Sequence, residues 1–205
     1  MSIPLNFVYE DDLSEFTMTQ LVNSFGNKYF IGNLYNGGGY GYIKKNINGF
    51  NEAAIATPFF ILTDLDRGEC PIKLINEWLK REKRPNLIFR VAVREVEAWI
   101  LADIEGFSRF LGISSSHFPA SPESVDDPKK LLIQLAGKSR KRDVREDIVP
   151  INANAKIGPN YNGRLMEFVF DGWNIDRAKG RSDSLSRTFN SLEKFTYIIP
   201  RKLKK

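Results

Sequence analysis

Residues Phe59 to Arg67 read FFILTDLDR, a run of apolar and β-favouring side chains that turns acidic within a few positions. Introduced by Pro58, this run predicts a buried strand that finishes on carboxylates. Because strand side chains alternate, Asp64 and Asp66 are expected to face one side at the strand's end. In an open α/β sheet, ligands bind in the crevice outside the carboxyl ends of the strands, and paired carboxylates there suit a hard divalent cation.

The flanking sequence repeats the pattern. Leu5 to Tyr9 reads as a strand that stops at Glu10, Asp11 and Asp12, and Ser14 precedes a helical spacing through Phe16, Leu21, Val22 and Phe25. Asp12 and Ser14 read equally well as helix caps or as site residues, whereas Glu10, on the strand end itself, reads as a site residue. Tyr29 to Leu34 predicts a second strand, followed by the glycine-rich stretch Asn36 to Tyr42 and by Lys44 and Lys45. That stretch has neither GxGxxG nor GxxxxGKS spacing, so a nucleotide loop is disfavoured, and its lysines either approach a polyanion or are solvated. A helix is expected over 48–57 and another from Pro71 to Lys80. Asn86 to Val93, NLIFRVAV, is a further strand that feeds directly into Arg94, Glu95, Val96 and Glu97.

Strands alternating with helices at this spacing predict an α/β fold: a mostly parallel sheet flanked by helices, with right-handed crossovers. Gly106 to Leu111 continues as helix, 114–127 is a Ser/Pro-rich connection, and Pro128 opens a helix through Leu131, Leu132 and Leu135. A core over 1–112 and a mainly helical extension over 113–205, packed on that core, follow from this shift. Within the extension, Lys138 to Arg142 is a basic run followed by Asp143, Glu146 and Asp147, either a solvated face or a contact with a nucleic-acid backbone. The segment 155–163, AKIGPNYNG, reads as a loop carrying Lys156. Leu185, Phe189, Leu192 and Phe195 mark a last amphipathic helix before the basic tail RKLKK.

Composition narrows the chemistry. Thirty Lys and Arg against 25 Asp and Glu leave a net charge of +5, which favours an anionic partner. Cys70 is the sole cysteine and His117 the sole histidine, so no intrachain disulfide can form and a Cys/His zinc site is excluded. Any metal must be held by oxygen. No stretch approaches the roughly 20 apolar residues of a membrane span and no export signal is evident, so a cytoplasmic chain without membrane contact is expected.

Glu10, the pair Asp64 and Asp66, and Glu95 or Glu97 thus come from three strand ends, which share one edge in a parallel sheet. Crowded there, the carboxylates would raise one another's pKa values, and a divalent cation would remove that cost. An acid after the first strand, an Asp-x-Asp after a later one and a glycine-rich segment between them resemble the TOPRIM fold. That fold is shared by topoisomerases, bacterial primases and the nucleases of the overcoming-lysogenization-defect group. VYEDDLSE, GGGYGYIKK, ILTDLDR and FRVAVREVEAWILAD are similar to a group of small stand-alone TOPRIM-like proteins of bacteria, over about residues 5 to 112. Such proteins are often encoded beside an ATPase and are implicated in defence against phage.

The resemblance implies a nuclease using two Mg²⁺ or Mn²⁺ ions on DNA or RNA, with Glu10, Asp64, Asp66 and Glu97 as metal ligands. Glu95 takes part in the chemistry, and Lys44, Arg94 or Lys156 balances charge on the scissile phosphate. Where the TOPRIM pattern has glycine after the first glutamate, this chain has Asp11, so Asp11 or Glu15 is a further candidate ligand. A metal-binding, non-catalytic subunit of an ATPase complex and a primase-like nucleotidyl transferase are the alternatives, and the oligomeric state, a homodimer included, is left open.

Overall fold

The computed structural model describes residues 2–152 and 154–199. The chain is α/β, with a four-stranded, all-parallel sheet, and it divides into two compact units: residues 1–91 with 188–205, and residues 92–187. The basic tail RKLKK lies outside the described residues. This division differs from the expected one at 112/113. The reason is that no linker separates the last strand from the helix that follows it, whereas the Ser/Pro-rich connection is packed into the second unit.

The first unit holds the sheet. β1 (Ile3–Tyr9) leads through α1 (Asp12–Asn23) to β2 (Tyr29–Asn36). α2 (Tyr40–Ala53) then returns the chain to β3 (Phe59–Asp64), and α3 (Pro71–Trp78) carries it to β4 (Leu87–Ala92). The sheet order is β2-β1-β3-β4, so the first crossover runs to one side of β1 and the second to the other. β1 and β3 therefore flank the switch point, the place where an open sheet leaves a crevice at its carboxyl edge. Leu5, Phe7, Val8, Phe60, Ile61 and Leu62 have no solvent exposure, in keeping with strands covered on both faces.

Asn6 pins three strands together. Its Nδ2 donates to Thr57 Oγ1 and to the Pro58 carbonyl, both at 3.1 Å, and its Oδ1 accepts from Asn33 N at 2.9 Å, where the β1–β2 register slips. Gly32 makes this possible, since a Cβ there would stand 2.7 Å from Asn6 Oδ1. α2 begins earlier than the expected helix over 48–57, because Ile43, Ile47 and Asn51 form its buried stripe. Lys44 and Lys45 consequently lie on a helix, not in a loop. The far end of the chain closes the unit: Lys28 Nζ donates to the Leu192 carbonyl at 2.8 Å, and Asn86 exchanges hydrogen bonds with the backbone of Ile198.

The second unit is helical. It comprises α4 (Val96–Ala102), α5 (Ile104–Leu111), α6 (Pro128–Gly137), α7 (Arg142–Ile148), α8 (Tyr161–Asp171), α9 (Ile175–Lys179) and the start of α10 (Asp183–Lys194). Every residue of α4 is buried, the carboxylate-bearing Glu97 among them. Asp103, with no exposure, fixes its exit: it accepts from Gly106 N at 3.0 Å, Asn174 N at 2.8 Å, and Arg177 Nε and Nη2 at 2.6 and 2.9 Å. Among the described residues no helix is long and apolar enough to cross a membrane.

Candidate functional site

Glu10 is the first residue beyond β1. Its Oε1 accepts a hydrogen bond from the Thr63 hydroxyl and another from Asp64 N at 3.0 Å, so the carboxylate is hooked onto the end of β3, across the switch point. Burial pushes its carboxyl above the usual glutamate range, and the negative charges of Asp66 and Asp11 add to the rise, against the lowering by the Thr63 and Asp64 hydrogen bonds. Thr63 is a buried hydroxyl inside an otherwise apolar strand. It is absent from the residues expected at the site, although a threonine one residue before a strand-end acid is the signal that such a side chain has a partner to serve.

β3 ends at Asp64, so strand alternation does not reach Asp66. Asp66 instead stands in a turn closed by Gly68 N donating to the Leu65 carbonyl at 2.8 Å, with φ at 50°. Asp66 and Arg94, the latter at φ 65°, are the non-glycine residues with positive φ among the described residues, and each lies two positions beyond its strand. Left-handed backbone costs an L-residue about 1–2 kcal/mol, and such strain concentrates at functional sites.

Asp11 has a different duty from that of a ligand: its carboxylate caps α1, accepting from Ser14 N at 2.8 Å. Asp12 and Ser14 thus enter the helix, and Asp11 is the cap. Glu15 hydrogen-bonds Tyr9, whose phenol is pushed up by burial first and by Glu15 second. Lys44 holds its ammonium 5.9 Å from the centre of the Trp78 ring.

Glu95 and Glu97 lie in the second unit with a group of their own. Glu95 Oε2 accepts from Lys129 N at 3.2 Å, at the start of α6, where a carboxylate is favoured by the helix dipole. Glu97, 5% exposed in its side chain, has Oε1 3.3 Å from Lys129 Nζ and 3.1 Å from the Tyr161 hydroxyl. Burial, then the neighbouring charge of Glu97, holds the Glu95 carboxyl above its ordinary range, while Lys129 opposes the rise. Neither Lys129 nor Tyr161 was singled out from sequence. A lysine in the first turn of a helix is unfavourably placed against the dipole, and that misplacement is the trace of an acidic partner. Arg94 pairs with Asp126 at 3.0 Å, Lys156 stands in an exposed turn, and His117 meets Lys138 Nζ at 3.4 Å.

Among the described residues no three His, Cys, Asp or Glu side chains form a group able to enclose a metal ion. The donor chemistry at the switch point nonetheless fits Mg²⁺, which keeps several waters and is commonly bound by one or two carboxylates together with substrate phosphate. Burial and like charge both disfavour the charged form of Glu10, the condition a bound cation relieves. Glu97 fits less well, because Lys129 and Tyr161 already satisfy its Oε1. Comparison of the chain with protein-family models, with curated proteins and with solved structures finds no match.

Proposed function

We propose that the chain is a phosphodiesterase dependent on Mg²⁺ or Mn²⁺ that hydrolyses DNA or RNA, a nuclease of TOPRIM type. The observation that carries this reading is the hook at the switch point: a raised, partly buried Glu10 carboxylate fastened to Thr63 and Asp64 N, with the charge of Asp66 beside it. Glu10 would hold the ion together with substrate phosphate and water, with Asp64 and Asp66 as the adjoining candidate ligands. When bound, a divalent cation there supplies charge stabilisation for a phosphoryl oxygen and lowers the pKa of a coordinated water. The chain's own contribution is positional. Thr63 and Asp64 N hold the Glu10 carboxylate in place before substrate arrives.

Of the two ions expected, the one at Glu10 has the better support, since Glu97 is matched by Lys129. Within the first unit, Lys44 is the candidate to balance charge on substrate phosphate. We place this activity in defence against phage, alongside an ATPase subunit, on the strength of the family resemblance. The test is Asp64→Ala on plasmid and RNA substrates with Mg²⁺ or Mn²⁺: the variant loses metal-dependent cleavage, and cleavage at the parent rate overturns the reading. A parent chain that binds the metal and cleaves nothing, alone or with its ATPase, leaves the regulatory-metal subunit in its place.

A further inference from the structure

The second unit carries a surface that the proposed chemistry does not use. α5, α8 and α9 border a cleft of about 590 Å³, lined by Arg109 and Phe110 from α5, Glu167, Phe170 and Asp171 from α8, and Trp173 just beyond it. Phe170 is 68% exposed and meets no other ring among the described residues. Phe110 is held from behind, stacked on Phe107 at 5.7 Å and tilted against Phe168 at 5.3 Å. One ring is therefore rigidly backed and another is open to solvent in the same cleft.

Of the cations lining the cleft, Arg177 is bound to Asp103, whereas the Arg109 guanidinium has no ion pair among the described residues. The Arg109 carbonyl accepts from Lys141 Nζ at 3.3 Å, which brings the basic run 138–142 to the C-terminal end of α5, one of the helices that border the cleft. Within that run Arg142 is matched by Glu146 and Arg145, just beyond it, donates to the Ser139 carbonyl. Arg140 has no acidic partner among the described residues, and Lys138 reaches His117. Glu167 is paired with Arg164, and Asp171 is exposed.

We infer that this cleft and strip bind single-stranded nucleic acid, with a base stacked on Phe170 and Phe110 and the phosphates running along Arg109, Lys141, Arg140 and Lys138. Open aromatic faces select unpaired bases, because a duplex hides its base faces. An acidic peptide could use the strip but has no planar group for the rings. The inference rests on the proposed nuclease for its biological purpose, naming the form of the substrate, while binding itself is measured without cleavage.

The experiment is fluorescence anisotropy of the full chain with a labelled single-stranded oligonucleotide in EDTA, against the same strand annealed to its complement. The single strand binds more tightly than the duplex, and Phe170→Ala weakens it about five- to a hundredfold. Arg140→Ala/Lys141→Ala lowers the salt slope by roughly 0.7 for each phosphate that is no longer neutralised. These side chains are exposed, and matching thermal melts confirm that the variants fold. Equal affinity for duplex, an unaltered Phe170→Ala, or equal competition by an acidic peptide overturns the inference. Binding by a parent chain that shows no nuclease activity upholds it and removes the proposed function, whereas cleavage without this binding does the reverse.

Discussion

Replacing Glu10 by Gln separates the charge of the hooked carboxylate from its shape. The amide oxygen still accepts from Thr63 and Asp64 N, but two charge-assisted hydrogen bonds become neutral ones, a loss of about 1–3 kcal/mol in all. Against this stands relief from burial of a charge and from the repulsion of Asp66 and Asp11. The carboxyl lies above its ordinary range, so that relief is the larger effect. Folded Glu10 keeps its proton to higher pH than the unfolded chain does; the fold loses stability as pH rises through that interval, and the variant does not. Without divalent ions at neutral pH the variant therefore melts at or above the parent temperature, and the gap closes in acid. Metal reverses the order. At a hundred times its Kd, Mg²⁺ or Mn²⁺ stabilises the parent by about 2.7 kcal/mol, roughly 5–10 °C for a chain of this size, and leaves the variant unmoved. Thermal denaturation with and without metal reads both effects. A parent melting temperature indifferent to Mg²⁺ and Mn²⁺, or an equal rise in parent and variant, refutes the reasoning.

Asp103→Asn tests the buried pair of the second unit: it puts an amide donor among four donors and costs about 2–4 kcal/mol, less than a fully buried pair because Arg177 reaches solvent. A denaturant midpoint equal to the parent's would contradict this. Glu95 offers a test of sign, since its raised carboxyl makes stability fall as pH climbs from about 4.3, and Glu95→Gln flattens that slope; parallel pH profiles of the two proteins would rule the assignment out.

Much of the candidate site was legible in one dimension because it sits where local patterns end. The strand ends at Tyr9, Asp64 and Ala92 follow from apolar runs meeting charge, and the switch-point edge follows from strand–helix alternation. Asp66 shows where local pattern stops deciding. Strand periodicity puts it on the face of Asp64, yet the strand closes at Asp64 and a left-handed turn sets Asp66 instead. The compact units divide at a different place from the expected boundary for a related reason. A Ser/Pro-rich segment looks like a linker, but the 3₁₀ turn at Pro122–Ser124 packs on α4, and Glu123 accepts from Ser182 Oγ at 2.6 Å and Ser184 N at 3.1 Å.

The sequence by itself determined which segments become strands, in what order they alternate with helices, and that three of them run out into acids, because propensity and periodicity act over a few neighbouring residues. Only the tertiary structure decided that β1 lies beside β3, that Thr63 fastens Glu10, that Lys129 answers Glu97, and that Lys141 reaches Arg109. Those pairings join residues distant along the chain, and packing of the whole selects them, so no local pattern encodes them.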